Sequence, residues 1–73
     1  MEKRDFNRIK VVLAEKKMQN KKLAEKLNVA PTTVSNWATN KSQPSIETLF
    51  EIADYLQVDV RILLVPNLEK NEI

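Results

Sequence analysis

Across residues 20–40 the apolar positions fall twice into the three- and four-residue spacing of a helix. Leu23, Ala24 and Leu27 make the first stripe; Val34, Trp37 and Ala38 make the second. The residues between them, Asn28, Val29, Ala30 and Pro31, are too few for anything but a tight turn. Pro31 suits the first turn of a helix, where its fixed φ is already correct and its missing N–H is not needed. Ala30 is a poor cap and leaves the first N–H groups of that helix available to water or an anion. The remaining positions of the second helix, Thr32, Thr33, Ser35, Asn36 and Thr39, are small, polar and uncharged. At about 100° of rotation per residue, Thr32, Asn36 and Thr39 lie roughly opposite Val34. The helix has one face for a core and one face of hydrogen-bonding groups turned outward.

The flanking segments also read as helices. In residues 6–17, Phe6, Ile9, Val12, Leu13 and Lys16 follow helical spacing, with Asp5 as N-cap and Lys16 and Lys17 in the last turn, where the helix dipole favours cations. Val11 falls off that face and needs no function; Met18 closes the connection into the next helix. Asn20 is expected to cap the second helix, which stops by Asn28. A fourth helix starts at Ser45, with Glu47 in its first turn, and carries Ile46, Leu49, Phe50, Ile52, Ala53 and Leu56 as the floor of the core. Asp59 can cap a fifth, with Val60, Leu63 and Leu64 inward, and Pro66 ends it because Val65 is pushed out of helical geometry. Ile62, Val65 and Leu68 form a further apolar stripe that is either a frayed tail or a dimer surface.

The chain has no glycine. Where a left-handed backbone is needed it must use the next most tolerant residue, and Asn28 and Asn40, each just past a helical pattern, are expected to take it. The fold expected is all-α, a compact five-helix domain over residues 6–65, with tails at 1–5 and 66–73.

Composition narrows the chemistry. A chain of 73 residues buries only about 60% of its unfolded surface, which leaves no room for a deep catalytic cavity beside a core. Without histidine or cysteine there is no disulfide, no usual zinc ligand and no ordinary near-neutral acid/base group. With no glycine-rich phosphate loop and no convergent carboxylates, no catalytic residue, metal site, cofactor or small-molecule ligand is expected. No apolar run approaches the roughly 18 residues that cross a bilayer, and no signal peptide is evident, so a cytoplasmic protein without membrane contact is expected. The net charge of +2 hides an asymmetry. Residues 1–41 hold ten Lys and Arg against four acids, a balance of +6; residues 42–73 hold two against six, a balance of −4. A basic half around the polar helix suits a polyanion.

The spacing of Leu23, Ala24, Leu27, Asn28, Val29, Val34 and Trp37 resembles the helix-turn-helix of the Cro and cI repressor-like (XRE) DNA-binding family. The resemblance continues through Lys41, Pro44, Ser45, Thr48, Leu49, Ile52, Ala53, Leu56 and Val58 and covers residues 6–65. It implies a lambda-repressor-like domain that binds double-stranded DNA. Where the family usually has Gly, this chain has Asn28, Asn40 and Gln57, and Gln57 suggests a last turn that is less strictly left-handed. Where many members place a semi-buried ion pair, Leu13 and Ala38 stand here, an apolar replacement that desolvates no charge. Asn20 occupies the place of a Gln that braces a phosphate in the family.

On this reading the helix over residues 31–39 enters the major groove. Thr32, Thr33 and Asn36 reach base edges, since Asn pairs bidentately with adenine and Thr contacts a thymine methyl. Asn20, Lys21, Ser35, Thr39, Lys41, Ser42 and Gln43 hold the DNA backbone, while Lys22 and Lys26 supply field only. The absence of Arg from that helix argues against guanine-rich sites. One helix reads too few base pairs for a genome, so a homodimer on a two-fold site is expected, through Ile62, Val65 and Leu68, and DNA alone can hold it together. Only seven residues follow Pro66, too few for an effector domain, which favours a repressor acting by promoter occlusion. The alternative is an antitoxin or adaptor that uses the same apolar tail on another protein.

Overall fold

The computed structural model describes residues 4–68. Four α-helices follow one another, α1 (Ile9–Glu15), α2 (Asn20–Leu27), α3 (Pro31–Ala38) and α4 (Ile46–Leu56), and then a single 3-10 turn, η1 (Val60–Leu63). All five elements contribute to one core: Ile9, Val12 and Leu13 from α1, Leu23 and Ala24 from α2, Val34 and Trp37 from α3, Leu49, Ile52, Ala53 and Leu56 from α4, and Leu63 from η1. These are the stripes that the helical spacing isolates. Leu13 and Ala38 are both buried, as an apolar pair in place of an ion pair requires. Val11 is exposed.

Several local expectations are corrected. The first helix begins at Ile9, not near residue 6; Phe6 is 54% exposed, and Asp5 caps nothing. The cause is a competing set of backbone hydrogen bonds. Residues 6–8 run beside residues 63–65, with Arg8 N donating to Leu63 O at 2.8 Å and Val65 N to Phe6 O at 3.0 Å. A helical turn there would break both. The first helical N–H, that of Ile9, donates instead to the Asn7 Oδ1 at 3.0 Å. At α2 the N-cap position belongs to Gln19, which makes no side-chain cap bond, and Asn20 is already inside the helix. On α4, Ile46 and Phe50 stand 68% and 52% exposed, one helical turn apart and beside the buried stripe rather than in it.

Ser45 caps α4 as expected, its Oγ accepting from Thr48 N at 3.1 Å. Asp59 caps the last element, with Oδ1 accepting from Arg61 N at 2.9 Å while the Arg61 guanidinium grips the same carboxylate at 2.9 Å. These bonds, the side-chain one foremost, lower the Asp59 carboxyl from 3.8 to about 2. The element ends after one 3-10 turn because Leu64 is extended and pairs with Asn7, which leaves Leu64 40% exposed instead of inward.

Every α-helix exits the same way. Lys17, Asn28, Asn40 and Gln57 have φ of 56°, 60°, 63° and 60°. Asn28 and Asn40 are the two expected; Gln57 is fully left-handed, against expectation, and Lys17 joins it. After each, the chain bonds back over the last turn: Met18 N to Leu13 O, Val29 N to Ala24 O, Lys41 N to Asn36 O and Val58 N to Ala53 O, all within 2.9 to 3.0 Å. This double closure satisfies carbonyls that the helix ends leave open. Met18, Val29 and Val58 also pack against the core. At Lys17 and Gln57 the closure and the apolar anchor together override a side-chain penalty of about 1–2 kcal/mol.

Candidate nucleic-acid interface

The face of α3 turned away from the core follows from the helical period. Val34, Trp37 and Ala38 are buried against α2 and α1, so Thr32, Ser35 and Asn36 are exposed and Thr33 is half-buried. The side chains of Thr32, Thr33, Ser35 and Asn36 form no hydrogen bond or ion pair within the described residues. Exposed side-chain donors and acceptors on a rigid helix, none engaged by the protein itself, are what base-edge recognition needs. Thr39 differs: its hydroxyl turns back on the helix and donates toward Ser35 O and Asn36 O, at 3.0 and 3.3 Å.

Around this uncharged face cations outnumber acids, with Glu25 the one acid on α2. Lys21 and Lys22 are exposed on the first turn of α2, and Lys41 and Ser42 are exposed just past α3. Lys17, Lys21 and Lys22 also line a shallow cleft of about 510 Å³ with Met18, Gln19, Glu25 and Tyr55. Lys26 is turned elsewhere, its Nζ 5.5 Å from the Tyr55 ring centroid, a cation–π contact between α2 and α4. Glu47, Glu51 and Asp54 are all exposed on α4. Among the described residues the single ion pair joins Asp59 to Arg61, so no carboxylate is in a direct ion pair with the lysines of α2 or of the turn after α3.

Three features escaped sequence reasoning. Gln43 is not a free side chain: its Oε1 accepts from Asn7 Nδ2 at 2.7 Å and its Nε2 donates to Asn40 Oδ1 at 3.1 Å. Asn7 is only 4% exposed, with a second bond from its Nδ2 to Trp37 O at 3.0 Å. An Asn two positions before the first buried residue of a helix is the available signal for such a cap. Asn40 is left-handed as its backbone position requires, and its side chain also bonds to Phe6, Asn7 and Gln43.

Two short helices packed around a left-handed turn, with the second presenting an uncharged polar face between lysines, define a helix-turn-helix protein. A helix-turn-helix family model matches residues 9–63, and the chain belongs to that XRE-type family. The chain is also similar to a crystal structure of a "putative DNA-binding protein" from Bacteroides fragilis: 51% identity, a TM-score of 0.80, covering 81% of this chain and 95% of that one. No curated protein matches the chain. No helix of the described residues is long and apolar enough to cross a membrane.

Proposed function

We propose that the protein is a cytoplasmic, sequence-specific regulator that binds double-stranded DNA with α3 in the major groove and represses by promoter occlusion. The observation that carries this reading is the α3 face itself: the side chains of Thr32, Ser35 and Asn36 are exposed, held on a packed helix, and have no hydrogen-bond or ion-pair partner among the described residues. Thr32, Thr33 and Asn36 read base edges. Asn20, Lys21, Ser35, Thr39, Lys41 and Ser42 hold phosphates, and Gln43 shapes the turn that carries the last two. The likeness to a protein described as DNA-binding supports the same reading.

Pairing of two copies follows from the small number of base pairs one helix can read. Ile62, Val65 and Leu68 are 44%, 36% and 60% exposed, the last two beyond the end of η1, and these three residues are the surface assigned to the partner copy. The same exposure favours the second reading, an antitoxin or adaptor that docks another protein there. Selection of bound sequences from random duplex DNA at stated salt tests the first reading. The expected product has two related half-sites about one helical turn apart, and a single unpaired element would refute the dimer.

A further inference from the structure

Three of the four helix exits are anchored by an apolar residue that follows the left-handed one: Met18 after α1, Val29 after α2 and Val58 after α4. At α3 the residue in that place is Lys41, which is exposed and anchors nothing in the core. The exit of the recognition helix is held by side-chain hydrogen bonds instead. The Asn40 Oδ1 accepts from Phe6 N at 2.9 Å, from Asn7 N at 3.0 Å and from Gln43 Nε2 at 3.1 Å, while its Nδ2 donates to Asn7 O at 3.2 Å. Asn7 reciprocates through Nδ2, which donates to Trp37 O in the last turn of α3 and to Gln43 Oε1. The segment holding Asn7 is itself fixed on the tail by the bonds of Arg8 to Leu63 and of Val65 to Phe6.

We infer that Asn40 and Asn7 form a positioning clamp for the DNA-contact turn. The clamp fixes residues 41–43 relative to α3, so that Lys41 and Ser42 are held where phosphates pass, and it sets affinity for the DNA backbone without choosing bases. Neither residue touches DNA. The inference rests on the proposed DNA-binding reading for its functional part; its structural part, the immobilised turn, does not.

Asn40→Gly is the informative variant, because Gly takes a φ of 63° without strain and removes only the clamping side chain. Asn7→Asp is the second: it keeps the acceptor for Ile9 N and replaces the donor to Trp37 O and Gln43 Oε1 with an acceptor. In the free protein, the amides of residues 41–43 should lose protection about three- to tenfold more in Asn40→Gly than those of Ile52 and Ala53, which lie in the core and report the fall in global stability alone. Binding to a random-sequence duplex of about 30 base pairs should weaken by a similar factor, with a log–log salt slope shallower by about one. Preference for a selected site over its base-substituted variants should stay as in the wild type. Unchanged exchange at the turn overturns the clamp whatever the DNA result. Faster exchange with unchanged affinity and slope shows a structural tie only and overturns the functional part. If the wild type shows no salt-dependent binding, the DNA-binding reading fails, and the exchange arm still decides whether the turn is clamped.

Discussion

Replacing each left-handed residue by glycine, one at a time, separates backbone strain from side-chain bonding at four equivalent helix exits. A non-glycine residue there costs about 1–2 kcal/mol, less for Asn, and glycine gives back about 0.5–1 kcal/mol through the greater freedom of the unfolded chain. The Lys17 side chain has no hydrogen bond or ion pair among the described residues to lose, so Lys17→Gly should stabilise by about 0.5–1 kcal/mol. Gln57→Gly relieves the same strain but forfeits the exposed bond from Nε2 to Asp54 O at 2.9 Å, worth about 0.5 kcal/mol, and should fall between zero and about 0.5. Asn28→Gly should be near neutral, because Asn tolerates the conformation and this one makes no side-chain bond among the described residues. Asn40→Gly relieves just as little and loses four hydrogen bonds, two of them part-buried at Asn7 N and O, for a net loss of about 1–3 kcal/mol. In a domain of this size each kcal/mol moves the midpoint of thermal unfolding by about 4–8 °C, so the extremes are easily resolved by circular dichroism. If Asn40→Gly stabilised as Lys17→Gly does, the clamp bonds would contribute nothing and the reasoning would be wrong.

Leu23→Ala removes a fully buried side chain from the contact of α2 with α3 and should cost about 2–5 kcal/mol by urea unfolding, enough to unfold much of so small a domain. Asn36→Ala lies on an exposed face and should change stability by no more than about 0.5 kcal/mol. The same change should lower discrimination between a selected site and its variants by about 1–3 kcal/mol in competition binding. The Asp59 carboxyl is lowered on folding from 3.8 to about 2, so its contribution is present above 3.8 and disappears as pH falls toward 2. Asp59→Asn should therefore flatten the fall in thermal midpoint across that window, modestly because the pair is solvent-exposed; an unchanged profile would show that the pair adds no stability.

The parts of the fold that were legible in sequence are those fixed by period and by strong caps. The stripes of α2, α3 and α4, Pro31 at a helix start, Ser45 and Asp59 as caps, and the left-handed Asn28 and Asn40 all follow from local chemistry. What was not legible depends on partners distant in sequence. Phe6 has helical spacing to Ile9, yet its carbonyl is claimed by Val65 and its N–H by Asn40. Lys17 and Gln57 adopt a conformation their own side chains disfavour, because the residue after each is drawn to the core. At the interface, the exposed face of α3 was readable from helical spacing alone, since burial of Val34 and Trp37 dictates what is left outside. The role of Gln43 was not, because nothing in its neighbourhood announces Asn7, 36 residues earlier.

The central claim is that the outer face of α3 reads DNA, and the most direct measurement compares the wild type with the Thr32→Ala, Asn36→Ala double variant on duplexes selected by the wild type. Binding is titrated over a range of salt for the selected site and for random duplex. The account predicts that the double variant keeps its fold, its affinity for random duplex and its salt slope, but loses most of its preference for the selected site, about 2–6 kcal/mol if both contacts are good ones. Retained preference in the double variant, or a wild type that selects no sequence at all, would contradict it.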